Sequence, residues 1–468
     1  MDVFDLIVIG GGPAGYLCAE RAAQASLRVA LVEERTLGGV CLNEGCIPTK
    51  SLLYCAKQYT AALHADLFGV ETGEVRYDHA KALLRKEQTV KRLVRGVAAA
   101  MKAGGVSVFA GRAVLCGRDD AFCVRVGAQE LRGKRLALAV GSQPVLPPIE
   151  GLADALASGF ALTNREILDL PTLPEHLCCI GGGVIGLEMA CYFASVGVKV
   201  TVVEMLPKLA GDTDPEICAV LMKTYQKLGM RFCLNAAVRS VAQGSVTYED
   251  AEGLHTLPCD KVLLAVGRRA STQSLGLETL GIETQRGAIV TDETLRTNID
   301  GVWAIGDCNG KRMLAHTAYR EAEVAVHAML GIDDRMDYDR IPSVIYTEPE
   351  LAWGRTGGSL DYGYYLNRSG NKKYLQLSCY PVEVELTVPG WMKIADVTLE
   401  LRTGEAGEPL ATTPLAVDGW YSVGEQTTQS AVWHGTFYKD DGPNEWLYTD
   451  GSPFYRAVVT DTTGTVWT

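Results

Sequence analysis

A strand, a glycine loop, a helix and a second strand occur twice in this chain, with every landmark of the second copy 171 positions after its counterpart. Gly10, Gly15 and Glu33 recur as Gly181, Gly186 and Glu204. The first copy runs from the apolar stretch Asp5–Ile9 through Gly-x-Gly-x-x-Gly into an amphipathic helix over Ala14–Ala25 and a strand over Arg28–Val32. The second runs from His176–Ile180 through a helix ending near Ser195 to Lys199–Val203. The first glycine of such a loop (Gly10, Gly181) permits a tight turn, and the second (Gly12, Gly183) lets the backbone approach a pyrophosphate. The third (Gly15, Gly186) lets helix and strand pack closely, with the helix N-terminus facing the anion. Glu33 and Glu204 each follow the last glycine by 18 residues, where a carboxylate accepts hydrogen bonds from ribose hydroxyls. One isolated glycine loop is as often an ordinary turn. Two copies, each with strand, helix and carboxylate in place, predict two dinucleotide-binding units of doubly wound α/β type. Glu204 is followed by Met205-Leu206-Pro207 with no arginine, and a carboxylate repels a ribose phosphate, so the second site is expected to prefer NAD to NADP.

The charge balance narrows the function classes. With 44 Lys+Arg against 56 Asp+Glu, the 468-residue chain carries a net −12, which argues against nucleic acid as a partner. A hydrophobic share of 47% excludes a disordered chain. No apolar run reaches the roughly 20 residues that span a bilayer. The acidic start Asp2-Val3-Phe4-Asp5 does not read as a secretory signal, and fourteen cysteines without such a signal point to reduced thiols in a cytoplasm. Composition then changes sharply. Six of seven tryptophans lie from Trp353 onward, while thirteen of fourteen cysteines lie before it. This shift marks a domain boundary near Trp353-Gly354, with 353–360 as a glycine-rich linker.

Between the two units lies Cys41-Leu42-Asn43-Glu44-Gly45-Cys46-Ile47-Pro48-Thr49-Lys50. On a regular helix two residues five apart differ by about 140° in azimuth and about 7.5 Å in rise, too far for a relaxed disulfide. A bridge therefore needs a distorted turn, for which Gly45 and Pro48 are suited. A zinc site would need two further ligands nearby, and no metal site is expected. Two small buried thiols are the bland alternative.

Read as C-L-N-x-G-C-I-P-T-K, Cys41 to Lys50 resembles the redox-active segment of the pyridine nucleotide–disulfide oxidoreductases, within them the dihydrolipoamide dehydrogenase family. Further matching segments are Val140–Pro144, Gly181–Glu188, Ala265–Arg269, Thr297–Asp307, Met313–His316 and Ile341–Glu350. The resemblance spans about residues 3–352. It implies two Rossmann-like domains: an FAD domain built from 1–145 and 271–352, and an NAD domain over 146–270. It also implies FAD contacts from Gly10, Gly12, Gly15, Glu33, Lys50, Ala113, Gly141, Ser142, Asp307, Met313, Leu314, Ala315 and His316. The NAD contacts it implies are Gly181, Gly183, Gly186, Glu188, Glu204, Val238 and Gly267. A bland reading of His316 is a satisfied ring at a helix N-terminus. Catalysis would rest on Cys41, Cys46 and Lys50: Cys41 exchanges with a dithiol, Cys46 lies against the flavin, and the Lys50 ammonium favours thiolate. The implied partner is the lipoyl domain of a 2-oxo acid dehydrogenase or glycine cleavage complex, and the implied assembly a homodimer.

The family's last quarter is an α/β interface domain that forms the dimer and carries a His-x-x-x-x-Glu base. Residues 361–468 read instead as an all-β, sandwich-like domain, with alternation over Glu383–Val388 and Val397–Leu401 and turn signals at 440–443 and 450–453. Its tryptophans and tyrosines read as core, with a carbohydrate- or protein-binding surface as the alternative. The one later histidine, His434, has no Glu five residues on, so turnover is expected to be reduced. Two alternatives stand beside the leading one: an NADH-dependent flavoprotein reductase of another acceptor, and an inactive scaffold whose β domain binds a partner.

Overall fold

Four consecutive apolar residues, Leu6-Ile7-Val8-Ile9, form a strand buried along its whole length, as a strand does when both faces of its sheet are covered. Val29–Glu33 pairs with it in parallel on one side and Leu136–Leu138 on the other. Ser107–Ala110 and Val302–Ala304 complete a five-stranded sheet at its two edges. The structure is a computed structural model that describes residues 3–211, 213 and 215–353; beyond these it describes only the backbone of strands lying within 379–467.

The second repeat builds a second parallel sheet in the order Ala161–Leu162, Lys261–Leu264, His176–Ile180, Lys199–Val203, Arg231–Cys233. Helices follow the glycine loops as the sequence predicts: α1 is Pro13–Gln24. Next come α2, Gly39–Glu44, and α3, Cys46–Leu63. The long helix α4, His79–Ala103, is capped by the Asp78 side chain, which accepts from Lys81 N at 3.0 Å. The helix of the second repeat is α5, Val184–Ser195, and α6 is Ala315–Leu330. A four-stranded sheet of Val3–Phe4, Gln129–Gly133, Phe122–Val126 and Ala113–Arg118 packs Leu115, Phe122, Val124 and Leu131 into the same core as Ile7, Ile9 and Val32. The return of the chain to the first sheet through Val302–Ala304 brings the turn Gly306–Asn309 to the same end as the first glycine loop, where Gly306 lies against Ala14.

The chain divides into two units, residues 1–338 with 345–348, and residues 339–344 with 349–468. The second unit thus takes in residues before the composition break at Trp353. Beyond Trp353 every described element is a strand. Cys379–Pro389 pairs antiparallel with Thr428–Tyr438, and Ile394–Arg402 with Phe454–Asp461. The expected strands over Glu383–Val388 and Val397–Leu401 fall inside these. The linker after Trp353, both turn signals, and the aromatic and His434 side chains lie outside the described residues. No described helix is long and apolar enough to cross a membrane.

Candidate functional site

The two glycine loops repeat each other in backbone and in bonding. Gly10 and Gly181 take φ of +106° and +105°. Helices α1 and α5 start from Gly12 and Gly183, both extended and neither supplying a side-chain cap, so their first-turn N–H groups are left for a ligand. A Cβ on Gly15 or Gly186 would collide with the carbonyl oxygen of Gly10 or Gly181, whereas one on Gly183 would meet nothing within 4 Å. Glu33 accepts from Gly11 N at 2.6 Å and from Arg35 N at 2.7 Å. Glu204 does the same with Gly182 N at 2.6 Å and Leu206 N at 2.8 Å. The two carboxylates therefore brace their glycine loops as well as ending the strands where a ribose would lie. Uncapped helix starts and a carboxylate at the strand end in both loops, with an open face at Gly183, fit a dinucleotide at each loop.

Around the first loop the structure gathers residues from distant parts of the chain. Gly39, which opens α2, lies against Gly12, so the cysteine segment borders the first loop. Ser142 is buried and donates its hydroxyl to Asp307, whose carboxyl is pushed up by burial. Arg268 donates to the Ser142 hydroxyl and carbonyl, both at 2.8 Å. Buried Glu321 of α6 accepts from Gly306 N and, at 3.0 Å, from Asn309, which fixes the turn that carries Asp307. Met313 and Leu314 lead into α6, and Ala315 and His316 are its first two residues, again without a side-chain cap. Gly141 takes φ +68°, and Ala113 is buried at the start of its strand. On the second side, Val238 lies in the antiparallel strand Ala237–Ala242, and Gly267 takes φ +122°.

Glu188, expected among the nicotinamide-side residues, turns both its oxygens to Lys50 Nζ, at 2.8 and 2.7 Å, and also accepts from Tyr346 N at 3.0 Å. The physical reason is burial: a carboxylate 4% exposed needs a charged partner, and α5 presents it to α3. Lys50 Nζ stands 4.7 Å from the centre of the Tyr346 ring as well.

The helical run through the cysteines breaks at Gly45, with φ −147° and ψ −109°, so Cys41 lies within the first piece and Cys46 opens the next. This break brings the two thiols within hydrogen-bonding reach of each other despite their spacing. They are separate thiols in this structure. Cys46 is held below the usual thiol range by the hydrogen bond from Cys41 and by the Lys50 charge, against burial and the Glu188 charge. Cys41 is raised by sharing that hydrogen bond and by burial. The position of Cys46 as first residue of an 18-residue helix adds the helix dipole in the same sense. Within the pair, Cys46 is thus the sulfur whose thiolate is favoured and Cys41 the one that holds its proton more tightly.

These charges give a prediction of opposite signs. Cys46 and Lys50 are four apart on α3 and share a face. Lys50→Met removes a cation and leaves Glu188 unpaired, so the Cys46 pKa rises by about one unit or more. Glu188→Gln removes the opposing anion and lowers it. Iodoacetamide labelling of the reduced protein across pH, read by peptide mass, checks both shifts; movement in the same direction would refute the scheme.

Sequence reading missed the clamp on the cysteine turn. Glu44, between the two cysteines, is buried and pairs with Arg35 and, at 3.0 Å, with Arg165. Its carbonyl accepts from Asn164 at 2.8 Å, and Asn164 accepts from Arg268 at 3.1 Å. The available signal was a charged residue inside an otherwise apolar or small-residue segment. Among the described residues no cluster of His, Cys, Asp and Glu could hold a metal ion.

Comparison with known proteins agrees with this geometry. The family model described as pyridine nucleotide-disulphide oxidoreductase matches residues 4–322. A dihydrolipoyl dehydrogenase of Acholeplasma laidlawii is 41% identical over 337 residues, covering 72% of this chain and 99% of that one. One from Chlamydia muridarum is 36% identical over 75% of each chain. Among solved structures, the HOCl-induced flavoprotein disulfide reductase RclA of Escherichia coli aligns with a TM-score of 0.67 at 26% identity, covering 92% of this chain and 89% of that one. By the extent of these matches the chain belongs to the pyridine nucleotide-disulphide oxidoreductase family, as a disulfide oxidoreductase whose cofactors are FAD and NAD(H).

Proposed function

We propose that the protein oxidises a protein-bound dihydrolipoyl dithiol through Cys41 and Cys46, with NAD⁺ as final acceptor. The observation that carries this reading is the break at Gly45, which sets two hydrogen-bonded thiols at a helix start beside Lys50 and against the first glycine loop. In the oxidised form, a substrate thiolate attacks Cys41 Sγ of the disulfide, and the Cys46 sulfur leaves as the thiolate that Lys50 and the helix dipole favour. The second substrate thiol then displaces Cys41, which takes up a proton, and the substrate departs as a cyclic disulfide. Bound FAD supplies the two-electron acceptor chemistry, and bound NAD⁺ the hydride-accepting chemistry, that these side chains lack. Glu188 keeps Lys50 in place, and the Glu44–Arg35–Arg165 clamp holds the turn.

FAD would lie on the first loop, with Gly10, Gly12, Gly15, Glu33, Lys50, Ala113, Gly141, Ser142, Asp307 and the Met313–His316 run around it. NAD would lie on the second loop, with Gly181, Gly183, Gly186, Glu188, Glu204, Val238 and Gly267. The FAD domain is then 1–145 with 271–352, and the NAD domain 146–270. Residues 361–468 form a β-sandwich in this reading, on a chain that works in the cytoplasm beside the lipoyl domain of a 2-oxo acid dehydrogenase or glycine cleavage complex. The assembly proposed is the family's homodimer, although the usual interface domain is replaced.

The likeness to a flavoprotein disulfide reductase favours a second reading, in which NADH drives reduction of another disulfide or acceptor. Steady-state assays separate the two. Oxidation of dihydrolipoamide by NAD⁺ together with NADH-driven dye reduction supports the first reading. Dye reduction alone supports the second, and failure of both with flavin bound overturns each of them.

A further inference from the structure

The four-stranded sheet beside the first glycine loop carries two cysteines that the redox chemistry above does not use. Cys116 lies in Ala113–Arg118 and Cys123 in Phe122–Val126, antiparallel neighbours. The register of this hairpin slips at one place: Leu115 pairs with Val124, but Gly117 pairs with Cys123, so Cys116 is an extra residue. It is a β-bulge, and Gly117 accommodates it with φ +136°, a conformation that side chains resist. The bulge sets Cys116 beside the residue opposite Cys123.

Both thiols also share a face. Leu115, Phe122 and Val124 are 2%, 0% and 0% exposed and fill the core, so the alternating positions Cys116 and Cys123 stand on the outer side. Both are partly exposed, and the two side chains lie within hydrogen-bonding reach of each other. Cys123 is directly opposed to Gly117, at a Cα separation of roughly 4.5–5.5 Å, and Cys116 is the adjoining residue, which leaves its thiol close enough for a bridge without moving the strands.

We propose that Cys116 and Cys123 are a second dithiol–disulfide couple, oxidised by exchange with a low-molecular-weight disulfide such as oxidised glutathione. One cysteine thiolate attacks the glutathione disulfide and releases one glutathione thiolate. The other cysteine then attacks the mixed disulfide, releasing the second glutathione and forming the Cys116–Cys123 bond. The balance is two protein thiols and one glutathione disulfide giving one protein disulfide and two glutathione thiols. The bridge would staple the hairpin that begins at Ala113, and it is independent of the reading at Cys41 and Cys46.

The test uses the full-length protein with flavin bound, carrying Cys41→Ser and Cys46→Ser so that the other pair cannot contribute. After incubation with oxidised glutathione, free thiols are alkylated and the protein is cut with trypsin. Arg118 separates the two cysteines, so the bridge appears as the peptides Ala113–Arg118 and Asp119–Arg125 joined together. The joined pair is expected to disappear on reduction and never to form when Cys123→Ser is added, with Cys116 then retaining a stable glutathione adduct. Recovery of both cysteines alkylated, or each carrying its own glutathione, would overturn the proposal.

Discussion

Cys46→Ser leaves a protein that is still yellow but oxidises dihydrolipoamide at least ~10³-fold more slowly, the scale lost when a covalent participant is removed. A serine oxygen neither forms the bridge to Cys41 nor departs as a stabilised anion, so the exchange stops at its first step. The change is small, and Cys46 sits at a helix start whose backbone geometry is set by Gly45. Flavin binding should therefore survive, because the glycine loop, Glu33 and the Ser142–Asp307–Arg268 cluster are untouched. NADH-driven dye reduction, which bypasses the thiols, is expected to stay within a few-fold. Flavin absorbance establishes that the variant is folded, and dihydrolipoamide turnover near the unsubstituted rate would sink the mechanism.

The residues involved explain which parts of this site were legible beforehand. Local rules sufficed for Leu6–Ile9, α1 and their second-repeat counterparts, since continuous apolar runs, helix period and glycine spacing act over a few residues. The need for a break between Cys41 and Cys46 was likewise a matter of helix geometry, and Gly45 supplies it. Glu188 and Lys50 are 138 residues apart, and nothing local says that α5 will turn that carboxylate toward α3. The same holds for Arg268, whose bonds to Ser142 and Asn164 depend on where two sheets bring their strand ends. A bulge such as that at Cys116 follows from pairing register, which no single strand encodes. Long-range electrostatics and register were thus hidden, while the repeat and the redox segment were open to reading.

No His-x-x-x-x-Glu sequence follows residue 352, and this sets the second large effect. A dithiol attacks as thiolate, and an alkyl thiol of pKa near 8.5 is only a few per cent ionised at pH 7. A positioned base contributes about 10²–10⁴-fold to such a step. Four of the seven histidines are held elsewhere by other partners: His79 by Tyr192 and Leu170, His176 by Thr201, His255 by Asp250, and His327 by Asp334. The histidine of the second unit, His434, stands in register opposite Glu383, within the paired strands Cys379–Pro389 and Thr428–Tyr438. If no base serves Cys41, only substrate that is already ionised reacts. The rate of dihydrolipoamide oxidation then climbs about tenfold per pH unit between pH 6 and 8, in step with the free thiolate. NADH-driven dye reduction, which needs no thiol deprotonation, runs about 10²–10⁴-fold faster at pH 7. Added imidazole raises the slow rate, and His434→Ala leaves it unchanged. A rate level from pH 6.5 upward, indifferent to imidazole and lost with His434→Ala, would instead show that the β unit supplies a base of its own.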